Sequence, residues 1–464
     1  MTISIKSIGS IINESPSVTY LKTTNFNFTT ISIEYKLENI GLAICRHYLY
    51  LNGEKKEITK EVGYESNENI FKYQITELKA DTIYTIQIEI NDGANETQSK
   101  VIQQSTKKPT IYGVKILEDN SNPFTCATYI EKATGMSSAN STSLGEWENK
   151  WPFNKIRIVG FKNGKVVKEI KKENKKQYID GTSVLNDVDV MIEVPKIYWK
   201  FTNIENGYEL RISNAKIEGS DCYAHKVGGV EKDFIYVGAY LGHYENGKLR
   251  SRSGVSPTTD TTLTTFRTYA NNAGNGYQQL NWFTLMLLQI LYLITYKNLN
   301  SQAALGQGIS QASKNNTGGA DLKGFVYGSN NQNEQICFLG IEDFYGNVFQ
   351  SIDGIYCDKN YNILINNDNK DFSNNTENIY KHKLLTLGSI SKVHHTNKSG
   401  FLPLENTGSS SSYYSDRGIV KENSFLRFGG SWSFGTPVGA FCFYLDTDVS
   451  SKISSLGSRL VYLG

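Results

Sequence analysis

GIEDFYGNVFQSIDGIY spans Gly340–Tyr356, and its reading decides the fold. Aromatics, acids and three glycines share one run with no helical period. Gly346 and Asn347 suit a tight turn that needs positive φ. Phe344, Tyr345, Val348, Phe349 and Ile352 can wedge a core beneath that turn. The acids Asp343 and Asp353 are expected to bond to backbone amides. A second stretch, FLRFGGSWSFG (Phe425–Gly435), repeats the theme. Gly429 and Gly430 allow two backbone segments to approach closely, with Trp432 expected to fill the space beside them. Both stretches read as bracing for an irregular, loop-rich fold, so function is to be sought elsewhere in the chain.

The totals agree with a β- and loop-rich chain. The 464 residues include 29 Tyr and 40 Gly but only 8 Pro. Hydrophobic residues make up 39%, enough for sizeable cores. With 20% charged residues and a net charge of +2, there is no electrostatic case for nucleic acid or an anionic membrane as partner. The opening MTISIKSIGSIINES has no basic region followed by an apolar core, so it does not read as a signal peptide. The most apolar segment, Trp282–Thr295, is too short to span a bilayer and contains Gln289, so it reads as a buried helix. The six cysteines form no CxxC pair or zinc spacing and read as free, buried thiols of a chain folded in a reducing cytoplasm.

Residues 17–108 alternate with period two, as half-buried strands do. ISIEYKL (Ile31–Leu37) is one such strand, and Asn52–Gly53 and Asp92–Gly93 mark turns. Several short strands in so few residues predict a β-sandwich. Residues 1–16 carry a short apolar–polar alternation and are assigned to an anchoring segment. STKKPT (Ser105–Thr110) breaks the pattern, and residues 109–464 follow as one large, mainly β domain with α+β character. Within it Asn163–Gly164 predicts another hairpin. Val188, Val190, Ile192 and Val194 fall opposite Asp189 and Glu193, as in a strand with one dry side. Long polar loops are expected over Gly308–Asn333 and Asn366–Asn378.

These motifs carry resemblances. GIEDFYGNVFQSIDGI and FLRFGGSWSFG resemble two signatures of the formylglycine-generating enzyme family, a variant of the C-type lectin fold. LGSRLVYL (Leu456–Leu463) looks like that fold's closing strand, with Arg459 at the usual arginine. Upstream stretches, among them DVDVMIEVPKIYWKF, DCYAHKVGG and LRSRSGVSPT, resemble a recurring module of bacteriophage and prophage tail proteins that covers most of Val114–Gly464. LKADTIYTIQIEI resembles the corner of a fibronectin type III domain, with Tyr84 as its locking tyrosine.

The resemblance implies a tail-fibre or baseplate-tip protein that meets the host cell. In the enzyme branch, a copper-binding cysteine pair follows the Gly-Gly-Ser motif. Here the corresponding places hold Phe434 and Gly439, leaving only Cys442 nearby, so no enzyme is expected. His394 and His395 stand side by side on a polar loop without an evident third ligand, and no metal site is assigned there. In lectin-fold proteins that diversify for target recognition, the variable surface lies between Gly-Gly-Ser-Trp and the terminal Gly-x-Arg. Carried over, the candidate ligand-binding residues are Ser433, Phe434, Thr436, Tyr444, Asp446, Asp448, Ser451 and Ser454, in a tip over 425–464. Tyr413 and Tyr414, on a serine-rich loop, are added to the same tip. An aromatic beside carboxylates and hydroxyls suits a sugar, whose apolar face stacks while its hydroxyls find acceptors. No cofactor is expected, although the loop Asp358–Asp371 offers oxygen ligands to calcium.

The implied partners are a bacterial surface glycan or surface protein and other tail or baseplate proteins, in a homotrimer, with no nucleic acid and no membrane insertion. The implied place is the virion tail or a phage-tail-like particle, assembled in the bacterial cytoplasm and acting at the host's outer surface. Two alternatives stay open: a purely structural baseplate component, and an active formylglycine-type oxidase or glycan-degrading enzyme.

Overall fold

The turn chemistry sets the first elements. Asn52 and Gly53 both take left-handed backbone, at φ 51° and 87°, and turn Arg46–Leu51 back as Glu54–Glu57. Asn163 and Gly164 do the same between Arg157–Lys162 and Lys165–Lys171. A computed structural model describes residues 15–39, 45–65, 68–366, 369, 376–381 and 385–464. Apart from Ser15 and Pro16, the anchoring segment expected over 1–16 lies outside the described residues. The chain is mainly β and divides into two compact units, Met1–Pro109 and Thr110–Gly464.

In the first unit, Ile31, Ile33, Tyr35 and Leu37 are buried while the residues between them are not, the alternation of a strand with one dry face. One sheet runs Ser17–Phe26, Ile31–Glu38, Ile70–Ile75, Gly63–Glu65. The other runs Glu54–Glu57, Arg46–Leu51, Ile83–Asn91, Glu96–Gln98, with Ile102–Ser105 also paired to Ile83–Asn91. Both contribute to one core that includes Ile33, Leu49, Ile86 and Ile88. The Tyr84 hydroxyl accepts the Lys79 N–H at 2.8 Å, tying the start of Ile83–Asn91 to the chain just before it.

The second unit has three main sheets. One runs Ala127–Glu131, Ile111–Leu117, Gly207–Ser213, Tyr198–Ile204. A seven-stranded sheet includes Arg157–Lys162, Asp189–Pro195, Phe234–Gly238 and the closing strand Leu460–Tyr462. The largest sheet is built around Phe349–Cys357, Ser424–Phe428 and Phe443–Thr447, with Leu456–Gly457 parallel to the first of these. All fifteen residues of the helix Trp282–Tyr296 are buried in the shared core. Asn281 caps it by accepting the Thr284 N–H, and Trp282 and Gln289 donate to the carbonyls of Lys398 and Ala440. Among the described residues, no helix is long and apolar enough to cross a membrane.

Asp189–Pro195 departs from the expectation of one dry side. Every residue in it is buried, because the face opposite Val190, Ile192 and Val194 is covered as well. Met191 packs there with Phe266 and Ala270 of the helix Leu263–Asn271. The two acids meet arginines within that cover. Arg250 Nε lies 3.0 Å from Asp189 Oδ1, and Arg157 Nε lies 2.7 Å from Glu193 Oε1.

Candidate functional site

The block Gly340–Tyr356 is clamped from three sides. Gly346 and Asn347 have φ of 82° and 61°, the left-handed turn their types favour. Phe344, Tyr345, Val348, Phe349 and Ile352 are all buried below it. The buried Asn347 side chain reads a distant loop as a peptide would. Its Oδ1 accepts the Asn315 N–H at 3.0 Å and its Nδ2 donates to the Asn315 carbonyl at 3.1 Å. Arg459 closes the arrangement from the last strand. Its guanidinium donates to Gln350 Oε1 and to the carbonyls of Gly238, Glu342 and Asp343, all within 2.9 Å.

The acids of the block are held mostly by side chains, not by the backbone amides expected. Asp343 Oδ2 accepts from Gln335 at 2.7 Å and Asn347 at 2.8 Å, because those amides are buried against it. Asp353 receives both arms of Arg267 at 2.8 and 2.7 Å, with Gln279 and the Gly354 N–H adding to it. Glu342 is the acid that meets backbone, accepting from Gly318 and Ala320 at 2.7 Å each. Burial, and the neighbouring Asp343, push its carboxyl up; burial pushes Asp343 up too.

At the second motif, a side chain on Gly430 would come within 2.5 Å of Val438 Cγ2, and one on Gly429 within 3.3 Å of the Tyr345 backbone. Val438, not Trp432, occupies the space beside Gly430. Trp432 stays half-buried, with its N–H donating to the Asn347 carbonyl, so the two motifs meet through backbone.

The segment Ser433–Leu456 holds the ligand candidates, and it sorts them. Ser433, Thr436, Asp448 and Ser454 are exposed, and Ser451 is half-buried. Asp448 is turned onto its own loop, accepting the Ser450 N–H at 2.8 Å. Five other candidates are not free contacts. Tyr444 is 3% exposed, since Phe443–Thr447 lies between Ser424–Phe428 and Arg417–Val420 with both faces covered. Tyr414 is buried, its hydroxyl 2.9 Å from that of Tyr208 and its ring edge-on to Phe441. Phe434 is half-buried, edge-on to Phe349 and Tyr444. Asp446 is committed to Arg427 by paired bonds of 2.9 and 3.0 Å. Tyr413 is half-buried and its N–H donates to the Ser121 carbonyl, which draws it toward a different loop.

Arg427 was not singled out in the sequence, yet it organises this face. Its guanidinium lies 4.6 Å from the Phe349 ring centre and 4.9 Å from that of Tyr444. The signal was an arginine alternating with Leu426 and Phe428 inside an otherwise apolar strand. Of the two positions that would carry copper-binding cysteines, Phe434 belongs to the aromatic cluster, and Gly439 abuts the carboxylate of Asp416. Cys442 is fully buried, and burial pushes its thiol well up.

Among the described residues no group of three or more His, Cys, Asp or Glu side chains could hold a metal ion. His395 Nδ1 pairs with Asn203 at 2.7 Å and its ring stacks on Tyr208. In the loop considered for calcium, Asp358 accepts the N–H groups of Asn360 and Asn362 at 2.8 Å each. Residues 367–368 and 370–371 of that loop lie outside the described residues.

Comparison with known proteins gives no matching family model and no match among curated proteins. Among solved structures, the chain is similar to the M1 variant of Major Tropism Determinant at 10% identity, with 82% of this chain and 81% of that chain covered and a TM-score of 0.27. It is similar to the P3c variant at 12% identity, with the same coverage and a TM-score of 0.27. A TM-score this low fixes neither fold nor function.

Proposed function

We propose that this chain is a host-attachment protein of a bacteriophage, a prophage or a phage-tail-like particle. The second unit is a formylglycine-generating-enzyme-type variant of the C-type lectin fold that binds a bacterial surface polymer and performs no chemistry. The first unit is a fibronectin III-like spacer toward tail or baseplate proteins. The particle carries the chain as a homotrimer on its tail, where weak contacts multiply through avidity.

One observation supports this reading above the others. The segment between the Gly-Gly-Ser motif and Arg459 leaves Ser433, Thr436, Asp448 and Ser454 at the surface, while the ionisable groups Glu342, Asp343, Arg427 and Arg459 are engaged in structural bonds. Such a platform is rigid and presents a short polar segment. The test is to incubate the labelled full chain with a panel of bacterial strains and with the parent particle. Coating of susceptible cells, and competition with particle adsorption, are expected. A chain that coats no strain the parent particle adsorbs to would be a structural component instead.

A further inference from the structure

The strand Phe349–Cys357 does not pair evenly with Ser424–Phe428. Ile352 faces Leu426, and the next paired residue, Tyr356, faces Phe425. Asp353, Gly354 and Ile355 therefore leave the ladder with Ser424–Phe428 as a bulge, with Gly354 at φ 80° and Ile355 still paired to Ile365 on the other side. Bulges of this kind re-aim side chains and recur beside binding sites. Here the bulge residues border a cleft of about 280 Å³. Its walls include Arg267, Tyr356, Leu364, Phe425 and the exposed Val449. Val449 belongs to the exposed stretch Asp448–Ser450. Burial, then the charge of Asp448, push the Tyr356 hydroxyl up.

We propose that this cleft is a subsite for one neutral, hydroxyl-rich sugar ring. The inference rests on the attachment reading above and moves its contact point from Tyr444 and Asp446 to the bulge. Three features select that chemistry. The volume is at the lower end for small-molecule sites, the size of a single ring rather than an extended ligand. Half-buried Tyr356 offers an aromatic surface and a hydroxyl, and Leu364, Phe425 and Val449 offer apolar wall for C–H faces. The charge in the wall is a paired one: Asp353 grips Arg267 through both arms, which fixes the planar guanidinium and cancels its field. An anionic glycerol-phosphate chain would call for an excess of cations; a neutral ring does not.

The test uses the full chain and named probes. Saturation-transfer NMR at tens of millimolar is run with glucose, galactose, N-acetylglucosamine and N-acetylmannosamine, with sn-glycerol 3-phosphate as the anionic comparison. At least one neutral sugar should bind and glycerol phosphate should not compete with it. Tyr356→Ala should weaken that sugar at least about tenfold, Tyr356→Phe much less, and Val449→Trp, at a surface position, should block the cleft. Thermal unfolding of each variant shows whether the fold is intact. Binding of none of the sugars, preference for glycerol phosphate, or unchanged binding in folded Tyr356→Ala and Val449→Trp would overturn the inference. The same variants in the cell-coating assay separate the two ideas. Coating by wild type that survives both substitutions removes the subsite and leaves attachment standing. Sugar binding that depends on Tyr356, without coating of any strain, keeps the subsite and removes attachment.

Discussion

Gly340–Ile352 and Ser433–Leu456 look alike as sequence: both mix glycine, aromatics and acids. In the structure they differ in where their polar groups are spent. In the first, Glu342, Asp343, Asn347 and Gln350 are all buried and bonded, Asp343 to Gln335 and Asn347 nearby and the other three to partners more than twenty residues away. In the second, the strand Phe443–Thr447 is enclosed, while the loops on either side carry Ser433, Thr436, Asp448 and Ser454 to the surface. The first region is thus a clamp throughout, and the second is a clamp with loose ends. Of these two regions, only the loose ends can meet a partner without unmaking the fold.

The strongest way to break this comparison is to remove the arginine that bolts the first region to the end of the chain. Arg459→Met would take the guanidinium from the carbonyls of Gly238 and Glu342 and from the Gln350 amide oxygen in a dry interior, and leave the Asp343 carbonyl only its 3.3 Å bond from Gln350 Nε2. Each buried acceptor left unmade costs roughly 1–3 kcal/mol, so the loss should be on the order of 5 kcal/mol. Arg459→Lys should recover little of it, since one ammonium cannot span four acceptors that a planar fork reaches. Urea unfolding measures both. A lysine variant within about 1 kcal/mol of wild type would show that the charge, and not the fork, is what the block needs.

A smaller effect sharpens the contrast by pH. Asp416 is 1% exposed, accepts the Phe441 N–H at 2.7 Å, and burial pushes its pKa well above the ordinary carboxyl range. A carboxyl with a raised folded-state pKa holds its proton more tightly when folded. The stability it contributes is full below its unfolded value near about 4 and is lost as pH rises from there toward the folded value. Asp416→Asn has no proton to lose, so its stability relative to wild type should grow between pH 5 and pH 8, by on the order of 2 kcal/mol. Parallel curves of unfolding free energy against pH for the two proteins would mean that Asp416 stays charged in the fold.

What could be read from the chain follows the range of the forces involved. Turns at Asn52–Gly53 and Asn163–Gly164, the alternation of Ile31–Leu37 and the apolar helix at Trp282 are written in neighbouring residues, and they appear where those residues place them. The left-handed turn at Gly346–Asn347 is likewise local. Exposure within a strand is not. Asp189 and Glu193 alternate with apolar residues as if they faced water, but on that face Met191 packs with Phe266 and Ala270 and the acids are taken up by Arg250 and Arg157. Tyr444 has a polar handle and a polar neighbour, and its burial depends on strands more than fifteen residues away in sequence. The bulge at Asp353 is legible only from the register against Phe425, which no stretch of Gly340–Tyr356 encodes alone. The polar loop positions Ser433, Thr436, Asp448 and Ser454 could be read as surface from residue type in turn-rich stretches, and they are exposed even where Trp432, Phe434 or Val449 stand beside them.

The smallest expected effect is the most discriminating for the second region. Among the described residues, the Tyr444 hydroxyl is buried with no hydrogen-bond partner. Its ring, by contrast, is well engaged, 5.6 Å from Phe349 and 5.2 Å from Phe434 between centres, with Arg427 over its face. Tyr444→Phe keeps every ring contact and deletes a polar group that gave up its hydration on folding without a bond in return. Stability should therefore stay level or rise by up to about 1 kcal/mol, and cell coating should not change. A variant destabilised by more than about 1 kcal/mol would show that the hydroxyl has an interior partner, a bound water being the simplest. A stable variant that no longer coats cells would return Tyr444 to the ligand surface and reverse the division between clamp and loose ends on which the subsite at Tyr356 depends.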